Sequence, residues 1–140
     1  MKILKTYKLF ENLQSNEDYI TLSHLLYDLF DHWGIVEWTD ETFDDMIYPQ
    51  GPLNEGYPTH KFWTYRKTNT GYIKPQDLDK EVIKDITIWN IGVDESKEFD
   101  SHLKEVINNA QESIGREISV SADLYDTYEE KFIDYTIKIK

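Results

Sequence analysis

Two stretches late in the sequence alternate apolar and polar residues strictly, and a chain that does so twice in succession is constrained to pair them as antiparallel strands. In 117–125, Ile118, Val120, Ala122 and Leu124 alternate with Glu117, Ser119, Ser121 and Asp123. In 131–140, Ile133, Tyr135, Ile137 and Ile139 alternate with Asp134, Thr136, Lys138 and Lys140. Successive strand side chains point to opposite faces, so this period gives each segment one apolar and one wet face. The short polar connection between them predicts an antiparallel pair. Residues 86–91 (ITIWNI) read as a third, more apolar and more central strand. Segment 61–67 (KFWTYRK), the turn-forming Thr68-Asn69-Thr70-Gly71 and 72–74 (YIK) read as a second hairpin, with Trp63 and Tyr65 on one face and Phe62 on the other.

A different period governs two other segments. In 15–34, Tyr19, Leu22, Leu25, Leu26, Leu29, Phe30 and Trp33 recur at three- and four-residue spacings, the stripe of an amphipathic helix. Ser15 with Asp18 resembles a capping box at its start, and Gly34 is placed to end it. In 95–114, Phe99, Leu103, Val106, Ile107, Ala110 and Ile114 line one face, with Asp94 as cap and Gly115 as stop. Asp100 and Lys104 are spaced as an i,i+4 pair on its outer face. A short helix over 40–48 is predicted, ended by Pro49, and a brief turn over 77–84 that buries Leu78 and Val82. The first ten residues fit either a strand or a short helix. Segment 48–60 (YPQGPLNEGYPTH) reads as a long loop.

Because helices and strands do not alternate regularly, the expected class is α+β. The expected architecture is an antiparallel sheet of about four to five strands, with two main amphipathic helices on one face plus short helices. One domain spans 1–140, a length at which roughly two thirds of the unfolded surface can be buried. The absence of cysteine excludes disulfides, thiolate metal sites and thiol nucleophiles. No apolar run approaches the ~18–20 residues of a membrane span, so no membrane partner is expected. The N-terminus has no small-residue cleavage site, and a cytoplasmic location is expected.

Charge is distributed unevenly. Between Lys8 and Lys61 there is no lysine or arginine, yet 9–60 carries Glu11, Glu17, Asp18, Asp28, Asp31, Glu37, Asp40, Glu41, Asp44, Asp45 and Glu55. That block holds −11 of the net −12, against +3 in 1–8 and −4 in 61–140. Its densest part is Glu37, Trp38, Asp40, Glu41, Asp44 and Asp45, to which Asp28 and Asp31 of the first helix would add. Carboxylates spaced along a surface can dock on a basic protein or imitate the phosphates of a nucleic acid. They can equally be a solvated face that keeps the protein in solution.

The complementary segment, Gly56–Gln76, has no acid, and sets Lys61, Arg66, Lys67 and Lys74 among Tyr57, Phe62, Trp63, Tyr65 and Tyr72. Four bases in so acidic a chain pull weakly on phosphates, so direct nucleic-acid binding is not expected. The plainer reading buries one aromatic face and pairs the bases with the acidic block.

His24, Asp28 and His32 stand at i, i+4 and i+8, a weak candidate for a divalent metal and, with it, a small metal-dependent hydrolase. Asp94, Ser96, Glu98, Asp100, His102 and Glu105 mimic a calcium-loop spacing, but Phe99 stands where the loop needs glycine, so a helix start is expected. No phosphate-binding glycine loop or nucleophile elbow is present, and neither a catalytic residue nor a cofactor is predicted.

The opening MKILKTYKLFEN resembles the M-K-x-L-K-x-[FY]…F-E beginning of many small accessory proteins of tailed phages, through Lys2, Leu4, Lys5, Tyr7, Phe10 and Glu11. The resemblance covers about a dozen residues and implies a protein that blocks a host enzyme or defence complex in the host cytoplasm, acidic ones acting as nucleic-acid mimics. The leading expectation is therefore a non-enzymatic acidic binding protein whose partner is a basic surface, such as that of a nucleic-acid-binding protein. An assembly subunit, with the acidic block meeting the bases of a neighbouring copy in a homo-oligomer, is the alternative beside the hydrolase.

Overall fold

A computed structural model describes residues 2–39, 60–68, 71–126 and 131–140, and side chains over all of these except 2–15 and 125–126. The order is α1 (Lys2–Trp33), β1 (Val36–Glu37), β2 (Phe62–Arg66), β3 (Tyr72–Ile73), a 3-10 turn (Pro75–Asp77), β4 (Asp85–Gly92), α2 (Val93–Ile114), β5 (Ile118–Asp126) and β6 (Lys131–Ile139). The sheet runs β1-β2-β4-β6-β5, with β3 also on β2. Every pairing is antiparallel except β1 with β2, which makes the sheet mixed. The α+β class, the central third strand and both hairpins stand as the alternation predicts. Six strands form where four to five were expected, the additional one being the two-residue β1.

The first helix begins at Lys2, well before Ser15. The reason is local: the sequence has no glycine or proline before Gly34, and 2–14 is rich in Lys, Leu, Glu and Gln. Ser15 and Asp18 therefore lie within the helix, not at its cap, and Asp18 pairs instead with Arg116 at 3.0 Å. The other end is as read. Gly34 takes φ +67, its N–H donates to Asp31 O, and the N–H of Ile35 donates to Phe30 O at 2.8 Å. This is the Schellman pattern, completed by burial of both Phe30 and Ile35.

Helix α2 starts two residues earlier than predicted, with Gly92 and not Asp94 as its cap; Asp94 and Glu95 sit in the first turn, where carboxylates favour the helix dipole. Phe99 is fully buried, so the calcium-like spacing is a helix start, and Lys104 meets Asp100 at 2.8 Å. Near 77–84 the buried side chain is Ile83; Val82 is exposed and Leu78 only half-buried. The buried Asn16 of α1 fixes this segment, accepting the N–H of Ile83 and donating to Leu78 O and Glu81 O. The predicted short helix at 40–48 lies outside the described residues.

Both helices cover one face of the sheet. Leu22, Leu26 and Leu29 of α1 and Phe99, Leu103 and Ile107 of α2 close on Trp63, Tyr65, Ile86, Ile88, Tyr135 and Ile137 in one cluster. Phe30 stacks on Trp63 at 4.9 Å, while Phe99 meets Trp33 edge-on and Tyr135 at a tilt. Tyr19 hydroxyl ties this core to the sheet margins, donating to Lys84 O and accepting the N–H of Ile139. Its burial raises the phenol pKa.

Candidate functional site

The exposed strip of α1 keeps its charge. Glu17, Thr21, His24, Asp28 and Asp31 follow one another at alternating four- and three-residue steps, and all are exposed. Leu25 and Tyr27, 40% and 46% exposed, flank the strip on either side. Asp18 has Arg116, but Glu17, Asp28 and Asp31 have no lysine or arginine partner among the described residues. Three of the four bases of 61–74 have partners outside the acidic block. Lys61 pairs with Glu95, Arg66 with Asp85 and Lys67 with Glu81, all acids from the second half of the chain. Asp85 is brought to Arg66 by the β2–β4 register, Glu95 stands in the first turn of α2 and Glu81 in the segment leading into β4, whereas the α1 strip faces outward.

Glu37 and Trp38 stand on and just after β1, not on α1. Glu37 is level with Trp63 in the β1–β2 register, half-buried, and desolvation raises its carboxyl pKa. Trp38 lies on the opposite side of the sheet, with its ring 4.3 Å from Phe62 and 5.3 Å from Tyr72. Asp40, Glu41, Asp44 and Asp45 lie outside the described residues.

The sheet face away from the helices carries a second constellation, which sequence reading missed. Phe62 stacks nearly parallel on Trp89 at 5.4 Å, extending the Trp38–Tyr72 group. Next to them Arg66 grips Asp85 through two bonds, Nε to Oδ1 at 2.7 Å and Nη2 to Oδ2 at 2.9 Å, and Thr87 hydroxyl donates to the same Oδ1. Thr64, Asp85 and Thr87 are all buried. Two residues, Trp89 and Asn90, oppose the single Asp134 between the Ile88–Tyr135 and Ile91–Ile133 pairs, which is a β-bulge. Asn90 adopts φ 68 there; its N–H donates to Asp134 Oδ1 at 3.1 Å and its Nδ2 to His60 O at 3.0 Å. Burial raises the carboxyl pKa of Asp134, opposed by the N–H of Asn90 and the nearby Arg66 charge. The signal in the sequence was the polar half of the alternation: Thr64, Arg66, Asp85 and Thr87 occupy every second position of β2 and β4.

The histidines are drawn apart. His24 rests against Tyr27, while His32 packs on Trp33 and, 5.5 Å away, on His102 of α2. Trp33 Nε1–H donates to His102 Nδ1 at 3.1 Å, so that imidazole serves as an acceptor between helices. Among the described residues no group of three or more His, Asp or Glu side chains is placed to hold a metal ion, so the hydrolase reading gains no ligand set. Ser23 hydroxyl, buried and donating to Ile20 O while accepting from Tyr65, is a structural link and not a nucleophile. Among the described residues no helix is long and apolar enough to cross a membrane.

No protein-family model, curated protein or solved structure matches the chain. The class is thus given by its own architecture, an α+β domain with two helices on one face of a mixed, mostly antiparallel sheet.

Proposed function

We propose that the chain is a non-enzymatic binding protein that docks an acidic surface on a basic surface of a partner protein, in the manner of a phage-type inhibitor or nucleic-acid mimic. One observation carries the reading: Glu17, Asp28 and Asp31 form an outward strip on α1 with no basic partner among the described residues, bordered by exposed Leu25 and Tyr27. A strip that merely solubilised the helix would need no aromatic and aliphatic flank. Interfaces place such side chains beside steering charges. Asp40, Glu41, Asp44 and Asp45 continue the block in sequence, and the partner expected is a nucleic-acid-binding protein of the host cytoplasm.

The test is retention of such a partner by immobilised protein, with salt titration and DNA as competitor. Binding is expected to weaken steeply with ionic strength and to yield to DNA. Asp28→Lys with Asp31→Lys is expected to lower affinity at least tenfold, and reversal of Asp40, Glu41, Asp44 and Asp45 to lysine to abolish it, with unchanged circular dichroism. Retention indifferent to both sets of reversals would refute the reading.

A further inference from the structure

Strand β5 closes the sheet on one side, and among the described residues its outer edge is open. Its one strand partner among them is β6, through an unbroken register from Ile118–Ile139 to Asp126–Lys131. The direction of its main-chain groups follows from two bonds. Glu117 O accepts from the N–H of Lys140, so 117, 119, 121 and 123 turn toward β6. Ile118 N–H turns the other way and is taken by Gln111 Oε1 at 2.9 Å. Val120, Ala122 and Leu124 therefore aim their N–H and C=O groups outward, without partners among the described residues.

Edges of this length are ordinarily blunted by lysine, proline or a bulge. Strand β5 has none of these: its sequence is ISVSADLYD and its pairing with β6 is regular. It also exposes Ala122 and, at 61%, Leu124, both on the face that carries Ile118 and Val120. An edge bearing unpaired main-chain groups and bare aliphatic side chains is a template for another strand.

We propose that this edge pairs antiparallel with the β5 edge of a second copy of the chain, about a twofold axis at Ser121. The proposal is independent of the acidic docking surface. The strand is self-complementary in this register alone among its neighbours. Centred on Ser121, Val120 meets Ala122, Ile118 meets Leu124 and Ser119 meets Asp123, so every aliphatic faces an aliphatic and the carboxylate faces a hydroxyl. Centring on Val120 instead sets Glu117 directly opposite Asp123, an unfavourable like-charge pair. Centring on Ala122 sets Ile118 opposite Asp126. Only outward-turned residues can exchange main-chain bonds, so the registers lying between these are excluded. An isologous edge pair of this kind closes on itself and gives a dimer with one continuous sheet.

The dimer must form against the charge of two chains of net −12 each. Salt is therefore expected to strengthen this association, the opposite of its effect on the acidic docking surface. Sedimentation of the wild-type chain in 0.3 M salt at tens of micromolar is expected to give twice the 16.7 kDa monomer. Ala122→Pro removes an N–H that points away from β6, and Leu124→Lys places a charge on an already exposed position. Each is expected to weaken dimerisation at least tenfold, and Leu124→Lys serves if proline disturbs the strand. Because the chain has no cysteine, Ser121→Cys gives a single reporter thiol. Facing itself across the axis, it is expected to oxidise to a covalent dimer, while Asp123→Cys, four residues from its copy in register, is expected not to. A monomeric wild type under these conditions overturns the proposal. So does a dimer that survives folded Leu124→Lys, or Asp123→Cys cross-linking as readily as Ser121→Cys.

Discussion

Replacing Asp85 by asparagine tests how much of the fold depends on a charge pair on the side of the sheet away from the helices. The Asp85 side chain is 2% exposed and that of Arg66 15%, and two charge-assisted bonds join them. Asparagine preserves size and one oxygen, which Thr87 or the guanidinium can still use. Its amide nitrogen, however, presents hydrogens to a second guanidinium N–H, and the largely buried cation loses the negative charge of Asp85. Removing one member of a buried pair costs about 3–5 kcal/mol. Arg66 retains some water, which places this case near the lower end, about 3 kcal/mol. Unfolding entropy near 60 °C is about 2.1 cal/mol/K per residue, so for a 140-residue chain this corresponds to a drop in Tm of roughly 10 °C. Thermal denaturation at neutral pH followed by circular dichroism measures it. Arg66→Met with Asp85→Leu, which removes both charges, is expected to recover most of the loss. An Asp85→Asn Tm within about 2 °C of wild type would refute the reasoning, because loss of the Asp85 charge beside Arg66 would then cost almost nothing.

Two further substitutions probe single backbone features. Asp134 has a folded-state carboxyl pKa raised by burial, so the folded state favours its protonated form. Its ionisation therefore costs stability above the unfolded carboxyl pKa of about 3.9 and costs nothing below it. Asp134→Asn keeps the acceptor for Asn90 N–H and is expected to be more stable than wild type at pH 8, the gain fading as pH falls through the raised folded-state pKa and gone below about 4; urea denaturation at several pH values reads this, and parallel curves would contradict it. Gly34 holds φ +67, and a Cβ added there would meet no atom within 4 Å, so Gly34→Ala causes no clash and bears only the left-handed strain. It is expected to lower stability by about 1 kcal/mol in the same assay, and no loss would mean that the Schellman turn does not fix the end of α1.

Periodicity made most of the core legible. Leu22, Leu26 and Leu29, Phe99 and Leu103, and Ile137 and Ile139 are apolar at the spacing of their element, and each is buried where that spacing puts it. What escaped was set by tertiary pairing. Whether Ser15 begins a helix or lies within one depends on residues 2–14 continuing the same turn, which a local cap pattern does not encode. Leu25 belongs to the same sequence stripe as Leu22 and Leu29 yet is 40% exposed, because it lies on the margin of the buried arc. The partners of Lys61, Arg66 and Lys67 were illegible for a related reason. Ion pairing follows which strands and helices become neighbours, and β2 lies beside β4, not beside the acidic helix strip. Asp134 and Asn90, forty-four residues apart, meet only because a bulge opens between β4 and β6. In sequence they are an ordinary aspartate in an alternating run and an asparagine in an apolar one.

The position of β6 has a consequence for how the molecule can be made. β6, though it follows β5 in sequence, is inserted between β4 and β5, which are joined to each other by α2. Until residues 131–139 have left the ribosome, β5 has no partner among the described strands and the edge of β4 that β6 covers is bare. The strands therefore cannot join the sheet in the order in which they are made: β5, made before β6, takes its place only once β6 has arrived.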